Sequence, residues 1–178
     1  MKYVAFLRAI NVCGRVVKMD VLREHFESLG FANVETFIAS GNVIFESPSK
    51  PASMVKKIES HLHASLGFEV ATFIRTLAEV DAISRYQPFG AAAMKSAGAL
   101  CVGFLDSPLD DVAHTALMRM KTRIDDFQVH DREVYWLCCE KQSDSTFTNA
   151  KFERTCMVRA TFRGVNTVAK LAAKFCNA

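Results

Sequence analysis

The stretch that decides the fold is Tyr3-Val4-Ala5-Phe6-Leu7-Arg8-Ala9-Ile10-Asn11-Val12-Cys13-Gly14. Its first five residues predict a β-strand that carries apolar side chains on both faces. Such a strand is typical of the centre of a sheet that is covered on both sides. The strand ends before Arg8 and Asn11, and a helix is predicted to begin near Met19. Polar groups between a central strand and a helix N-terminus are a common position for a ligand in αβ proteins.

The first 75 residues alternate strands and helices in one simple pattern. Apolar residues recur every three or four positions from 19 to 29, which predicts an amphipathic helix that ends at Gly30. A polar turn at residues 40–42 predicts a hairpin. The predicted elements are a strand at 3–7, a helix at 19–29, strands at 34–39 and 43–46, a helix around 55–62 and a strand at 69–75. This order is βαββαβ, the ferredoxin-like motif.

The rest of the chain repeats this order loosely, without a repeat at the level of residues. Predicted here are a linking helix at 77–85, a strand at 99–105, a helix that begins at Pro108, a hairpin of strands 127–129 and 134–137, a short strand at 157–160 and a last helix at 165–175. Residues 145–152 have no clear pattern. The predicted fold class is α+β, with two ferredoxin-like (βαββαβ-type) antiparallel-sheet subdomains packed together. The first subdomain is residues 1–75, and the second α+β subdomain is residues 76–178, with the linking helix and an extra C-terminal helix.

Three segments resemble one known family. They are Phe6-Leu7-Arg8-Ala9-Ile10-Asn11-Val12, Ser40-Gly41-Asn42-Val43-Ile44-Phe45 and Ala160-Thr161-Phe162-Arg163-Gly164-Val165-Asn166-Thr167-Val168-Ala169-Lys170-Leu171. On these segments the chain is similar to the bacterial family known as domain of unknown function 1697, over nearly its whole length. The resemblance implies two ferredoxin-like α+β subdomains in one chain and no established activity.

Most polar and glycine positions in or next to these segments fit the family's pattern. They are Arg8, Asn11, Gly14, Ser40, Gly41, Asn42, Thr161, Arg163, Asn166 and Thr167. The chain departs from that pattern at four positions. Family members usually have glycine where this chain has Ala9 and Cys13, and an Asn-Trp pair where it has Gly164 and Val165.

The composition is that of a globular protein, since 50% of the 178 residues are hydrophobic and 23% are charged. No apolar run reaches the roughly 18 residues of a membrane span, so no membrane insertion is expected. The N-terminus enters the first strand without a signal sequence, which predicts a cytoplasmic location. The net charge of +3 is too small to indicate nucleic acid binding by itself.

The sequence contains no motif of the common enzyme classes: no nucleophile elbow, P-loop, dinucleotide-binding glycine motif or zinc-protease motif occurs. The six cysteines form no C-x-x-C pair, and most are predicted to be buried structural thiols. His61 and His63 face different sides of their predicted helix, and the other histidines, including His25, have no ligand partner nearby in sequence. All five are therefore predicted to be surface residues. We predict no catalytic residue, no metal site and no cofactor.

The topology predicts a ligand-binding edge. In a βαββαβ sheet the first two strands run parallel, so the end of the first strand approaches the tip of the hairpin. A basic loop and a helix N-terminus, whose free amides favour an anion, lie beside this tip. The candidate ligand-binding residues are Arg8, Asn11, Gly14, Arg15, Lys18, Ser40, Gly41, Asn42 and, from the basic C-terminal segment, Arg163.

A purely structural role is the alternative for the same residues. Asn11 and Ser40 would then only hydrogen-bond loop amides, and Arg8 would pair with a carboxylate of the other subdomain. Three classes of function follow: a non-enzymatic binding module for an anionic ligand (nucleotide, phosphate or RNA), a protein-protein interaction scaffold, and an enzyme of unidentified chemistry, in that order. The RNA version is weaker because residues 41–45 lack the alternating aromatic side chains on which RNA-binding sheets of this fold stack bases.

Overall fold

A computed structural model of the chain describes residues 1–11, 14 and 16–176. The elements of the first half are β1 (Lys2–Leu7), α1 (Met19–Ser28), β2 (Ala32–Phe37), β3 (Asn42–Glu46), α2 (Pro51–Leu66), β4 (Thr72–Thr76) and α3 (Leu77–Arg85). Those of the second half are α4 (Ala91–Ser96), β5 (Ala99–Leu105), α5 (Asp111–Met118), β6 (Asp125–His130), β7 (Glu133–Cys138), α6 (Asn149–Cys156), β8 (Ala160–Gly164) and α7 (Val165–Phe175), with a 3₁₀ turn at Gln142–Asp144.

The chain forms two compact units. The first unit contains Met1–Ala82 and the residues from Leu171 onward, and the second unit contains Ile83–Lys170. The sequence predicts two subdomains with a boundary at residue 75. This boundary stays a prediction. Throughout the described ranges, no helix has both the length and the apolar composition that crossing a membrane requires.

β1 is the hydrogen-bonded centre of the first sheet. The strand order is β2-β3-β1-β4, and all neighbours are antiparallel. Val4 of β1 lies opposite Ile44 of β3 and Arg75 of β4. This is the ferredoxin-like arrangement predicted from the sequence. Ala5 and Phe6, which point to opposite faces of β1, are both 0% exposed, as expected of a central strand.

Local signals fix the helices of the first unit. α1 is followed by Gly30 with φ 79°, and Gly67 ends α2 in the same left-handed region with φ 76°. Pro51 begins α2, where its missing amide hydrogen is not needed. Apolar side chains at helical spacing then face the sheet from both helices, which gives the first unit its core.

That core lies between the sheet and helices α1 and α2. It contains Tyr3, Ala5, Leu7, Val43 and Phe45 from the sheet and Leu22, Phe26, Met54, Ile58 and Leu62 from the helices. The ring of Phe45 is central, with its centroid 4.5 Å from that of Phe31 and 5.5 Å from that of Phe26. Burial of each large apolar side chain contributes about 1.5–3 kcal/mol to folding.

The second sheet has the same topology as the first. Its strand order is β6-β7-β5-β8, again with antiparallel neighbours, and β5 is central. Apolar residues of α5 and α6, such as Leu117 and Phe152, pack in one core with Trp136 and Phe127 of the sheet. The predicted fold class, α+β with two ferredoxin-like antiparallel sheets, is confirmed.

The last strand lies later in the chain than the sequence predicted. β8 is Ala160–Gly164, whereas the expected short strand was at 157–160. Helix α6 occupies much of the segment that had no clear pattern, because Thr148 caps its N-terminus by accepting a hydrogen bond from the Lys151 amide at 3.1 Å. Met157 then ends this helix with φ 56°, and the strand begins three residues further on. The second half therefore contains a complete βαββαβ motif followed by α7.

Three smaller boundaries also differ from the prediction. α5 begins at Asp111 rather than at Pro108, because the Asp110 side chain accepts a hydrogen bond from the Ala113 amide at 2.8 Å and caps the helix. The hairpin turn lies at residues 38–41, since β3 already begins at Asn42. α4 was not predicted, because none of its residues is buried and no apolar periodicity marks it.

The two sheets share a residue-level pattern that was not predicted. Arg75 lies opposite Val4 in the first sheet, and Arg163 lies opposite Val102 in the second. Each arginine donates from Nη1 to the carbonyl oxygen of the preceding residue at 2.9 Å. The two central strands also share the pattern Val-x-Phe-Leu, at residues 4–7 and 102–105. The chain is therefore an internal repeat of one structural unit.

Replacing Gly41 by alanine is expected to destabilise the first unit strongly. Gly41 has φ 74°, and an added Cβ would lie 2.5 Å from Cγ2 of the buried Ile10. We expect a loss of about 2–5 kcal/mol in unfolding free energy, because left-handed strain of about 1–2 kcal/mol adds to overpacking. Gly67→Ala is the control, since φ is 76° there but no atom lies within 4 Å of the added Cβ. Urea denaturation should show a loss of only about 1–2 kcal/mol for the control, and equal losses would contradict the steric argument.

Asp125 organises the second unit as a buried hydrogen-bond acceptor. Its Oδ1 accepts hydrogen bonds from Nε1 of Trp136 at 2.8 Å and from Oγ of Ser145 at 2.7 Å. Its Oδ2 accepts from Oγ1 of Thr122 at 2.8 Å. The residue is only 4% exposed. One carboxylate thus joins the β6–β7 hairpin to the segment before α6.

Asp125→Ala is expected to lower the unfolding free energy by about 3–5 kcal/mol, because it removes three side-chain hydrogen bonds and leaves the buried Trp136 Nε1 without an acceptor. The neighbouring Asp126→Ala is the matched control. Asp126 pairs with Lys121 at 2.6 Å but its side chain is 46% exposed, so we expect a loss of about 1 kcal/mol or less. Thermal and urea unfolding of both variants give the comparison, and a small loss in Asp125→Ala would show that the network is not needed for stability.

Candidate functional site

The end of β1 lies beside the tip of the β2–β3 hairpin. The Leu7 amide donates to the carbonyl oxygen of Gly41 at 2.8 Å, and Phe6 and Asn42 are paired residues of β1 and β3. The segment that follows β1 and the hairpin turn therefore meet at one edge of the first sheet. We call this region the β1 edge, and it consists of the described residues among 8–18 and 38–42.

Asn11 joins the two segments of the β1 edge. Its Nδ2 donates to the carbonyl oxygen of Ala39 at 2.9 Å, and its Oδ1 accepts from the Val17 amide at 2.6 Å. One side chain thus holds the hairpin turn against the residues just before α1. Both polar ends of Asn11 make hydrogen bonds within the protein, so its visible role is to position the edge.

The buried side chain of Asn42 stabilises the hairpin turn by hydrogen bonds. It is 0% exposed, and its Nδ2 donates to the carbonyl oxygen of Phe37 at 3.0 Å and to Oγ of Ser40 at 2.8 Å. Ser40 itself is exposed. The turn therefore keeps a defined shape, with the Ser40 side chain held at the surface.

Left-handed backbone conformations are concentrated at the β1 edge. Ala9 has φ 57° and Ile38 has φ 51°, although neither is a glycine, and Gly14 and Gly41 have φ 80° and 74°. Positive φ is a marked exception for a β-branched residue such as isoleucine. Such strain is often found at functional sites, where the surrounding structure maintains it.

Arg8 and Lys18 place positive charge at this edge. Arg8 is half-buried directly after β1, and its amide donates to the carbonyl oxygen of Ala71 at 2.8 Å. Lys18 is exposed and is the N-cap residue of α1, where its side chain makes no capping hydrogen bond. Asp20 in the first turn of α1 is the opposing charge. The predicted site residue Arg15 lies outside the described residues.

The structure places Arg163, the remaining predicted site residue, on β8 of the second unit. Its Nη1 donates to Oγ1 of Thr161 at 2.8 Å and to the carbonyl oxygen of Phe162 at 2.9 Å. Desolvation by burial lowers its pKa to about 10. Arg163 thus has the same strand-bracing contact as Arg75, and its role in ligand binding stays a prediction.

An open groove in the second unit was not predicted from the sequence. Its volume is about 790 Å³, and its polar lining includes Ser84, Arg85, Gln87, Gln142 and Asn166. Gly164 and Val165, where α7 begins, also line it. Gly164, Val165 and Asn166 belong to the third family-like segment, which the sequence did not connect with a groove.

His25 and His61 form a pair that the sequence analysis missed. Nδ1 of His25 lies 3.1 Å from Nε2 of His61, and Oγ of Ser28 lies 3.3 Å from the same Nε2. Both histidines are half-buried where α1 faces α2. Burial lowers the pKa of His25, and the nearby His61 lowers it further. The prediction of unpartnered surface histidines is wrong for these two, because the periodicity of each helix does not show which faces meet.

The described thiols are mostly buried. Cys101, Cys138 and Cys156 are buried and Cys139 is exposed. Burial raises the pKa of Cys101 and of Cys156 to about 11, which keeps both thiols protonated near neutral pH. In the part of the chain that the structure describes, no three His, Cys, Asp or Glu side chains are grouped to hold a metal ion.

The sheets, their order and the β1 edge define the class of this protein: an α+β chain built from two ferredoxin-like repeats, with polar loops at one end of a central strand. The chain belongs to the family described as protein of unknown function (DUF1697), which matches residues 1–135. The matched range contains the whole β1 edge. The resemblance seen in the first two sequence segments is thereby confirmed.

A solved structure also resembles this chain over its full length. The structure of conserved bacterial protein SP0830 from Streptococcus pneumoniae has a TM-score of 0.74, 21% sequence identity and coverage of 97% of each chain. At this identity the similarity shows the fold alone. No curated protein sequence matches the chain.

Asn11→Ala is expected to lower the unfolding free energy by about 1–3 kcal/mol, because it removes hydrogen bonds to two backbone groups of the β1 edge. Asn11→Asp should also lose stability, since its carboxylate still accepts from the Val17 amide but places an acceptor oxygen against the Ala39 carbonyl oxygen. Chemical denaturation of the two variants measures both losses. If the unfolding free energy of Asn11→Ala changes by no more than about 0.5 kcal/mol, the usual range of a surface substitution, Asn11 does not stabilise the β1 edge.

Proposed function

We propose that this protein is a non-enzymatic binding module and that the β1 edge binds an anionic ligand with a phosphate group. The ligand class comprises nucleotides, inorganic phosphate and the backbone of RNA. The observation that carries the proposal is the hydrogen-bonded contact of Asn11 with both Ala39 and Val17, which joins the hairpin turn to the start of α1. The cytoplasm, the location expected from the sequence, contains ligands of all three kinds.

The charges at the β1 edge support this ligand class. The N-terminus of α1 carries partial positive charge and amides without intrahelical partners, which favours an anion by about 0.3–1 kcal/mol when exposed. Lys18 adds a full charge at the same helix end. Arg8 supplies a planar group that suits a phosphate geometrically, because its nitrogens can donate two parallel hydrogen bonds.

We assign two different roles to the site residues. Asn11 and Asn42 make hydrogen bonds within the protein and position the loops. Arg8, Lys18 and the exposed Gly14 are the described groups we assign to ligand contact. The two asparagines thus hold the loops together, and the cationic residues are the groups that we propose to contact the ligand.

A protein-protein interaction scaffold is the second candidate function, because two large apolar side chains are exposed at the same edge. Val16 is 83% exposed and Ile38 is 51% exposed. Such residues contribute to protein interfaces when they form a contiguous patch. An enzyme of unidentified chemistry remains the third alternative, and no observation at the β1 edge favours it.

Arg8→Ala is expected to weaken binding of a phosphate ligand by about 1–3 kcal/mol, because it removes a charge-assisted hydrogen bond. The ligand is first found by thermal shift with inorganic phosphate, nucleotides and short RNAs at two salt concentrations, since binding to the native state raises the melting temperature. Titration calorimetry then compares wild type with Arg8→Ala and with Lys18→Ala, which should lose less affinity and mainly change the salt dependence.

Arg23→Ala is the matched control, because it removes the same charge from an exposed position on α1, where Arg23 pairs with Glu27 at 3.6 Å. Its affinity should be unchanged. If Arg8→Ala lowers the melting temperature but leaves affinity unaltered, Arg8 is a structural brace and the proposed contact is wrong. If no phosphate ligand shifts the melting temperature of wild type, the scaffold becomes the better function.

A further inference from the structure

The His25–His61 pair is a second candidate site, on the helices of the first unit. We propose that these two imidazoles bind a transition metal ion of the zinc type, with His25 Nδ1 and His61 Nε2 as ligands. The site is independent of the β1 edge and of any ligand bound there. The argument starts from the distance of 3.1 Å between these two nitrogens.

That distance suits two ligands on one ion. Zinc–nitrogen bonds are about 2.0–2.1 Å long, so two nitrogens on a tetrahedral or octahedral ion lie about 2.8–3.4 Å apart. The imidazole planes make an angle of 70°, so the rings are not stacked on each other.

The protonation states of the pair allow this change. In the metal-free pair one of the two nitrogens carries a proton and donates to the other. Each imidazole has a second tautomer in which the proton moves to its other ring nitrogen, and both facing nitrogens are then free to bind a metal. The ion would replace the contact between the two imidazole nitrogens.

Ser28 supplies a third polar atom at the same place. Its hydroxyl donates to the carbonyl oxygen of His25 at 2.8 Å, so the lone pairs of Oγ remain available toward His61 Nε2, 3.3 Å away. Glu24 is the neighbouring negative charge, and it acts electrostatically on His25. Lys57 lies one turn before His61, and its Nζ donates a hydrogen bond to the carbonyl oxygen of Leu29 at 2.6 Å.

The ligand atoms determine which metal ions the site favours. Imidazole nitrogen suits zinc, copper and nickel, whereas magnesium and calcium prefer oxygen ligands. Two histidines and a hydroxyl leave the remaining positions to water. The ion should therefore be exchangeable rather than required for folding, in contrast to structural zinc sites with four protein ligands.

The test uses untagged, full-length protein treated with a chelator that is then removed, and ZnCl₂ as the probe. We expect about one zinc ion per chain by titration calorimetry and a rise in melting temperature of about 3–6 °C at zinc tenfold above the dissociation constant. MgCl₂ should have no effect.

Variants decide whether the pair is the site. His25→Gln and His61→Gln should each weaken zinc binding by at least about tenfold, since even outer-shell partners of a metal contribute that much. His63→Gln and Cys139→Ser are the controls, because both residues are exposed and could bind zinc nonspecifically, and they should bind like wild type. Zinc binding that survives in both pair variants, or its absence in wild type, would overturn the proposal and leave an imidazole–imidazole hydrogen bond only. Melting temperatures without zinc show whether each variant is folded.

Discussion

Backbone pairing on both edges of a central strand is the constraint on which the two halves of the chain depend. β1 is hydrogen-bonded to β3 and β4, and β5 to β7 and β8, in the same antiparallel order. Because both faces of β1 are also buried, a shift of one residue would exchange two sets of packed side chains. The register is therefore fixed, and every loop that leaves the central strand starts from a defined position.

The β1 edge follows from that register. Since Phe6 pairs with Asn42, the Leu7 amide reaches the Gly41 carbonyl, and the chain beyond Leu7 must turn beside the hairpin. The close approach explains why position 41 is a glycine, because a Cβ there would enter the space of Ile10. Asn11 then completes the connection through its two side-chain hydrogen bonds. The strained backbone of Ala9 and Ile38 is held by these contacts rather than by local preference.

The features that the sequence predicted are those with a local or periodic signal. The apolar run in residues 3–7, the helical spacing before Gly30 and the turn glycine Gly41 were enough to give the βαββαβ order and to bring the β1 edge together. The missed features depend on contacts between distant segments. His25 and His61 meet only because α1 and α2 pack side by side, and Trp136 meets Asp125 only across the β6–β7 hairpin. The end of α6 at Met157 depends on a left-handed residue that is not a glycine, so no sequence signal marked it.

A comparison of the two repeats shows which residues the ferredoxin-like topology requires, because a required residue should occur in both. Arg8 follows the last residue of β1, and the equivalent position after β5 is Asp106. Asp106 pairs with Arg159 at 2.9 Å, so the charge at that end of the second sheet is balanced within its own unit. A demand of the ferredoxin-like topology would act on both repeats alike, as it does on Arg75 and Arg163, which make the same backbone contact. A cationic residue after the central strand occurs in one repeat only, next to a helix start with a second cation, Lys18. The topology does not require this charge, so the cation after the central strand is specific to the first repeat, where we propose that it contacts the ligand.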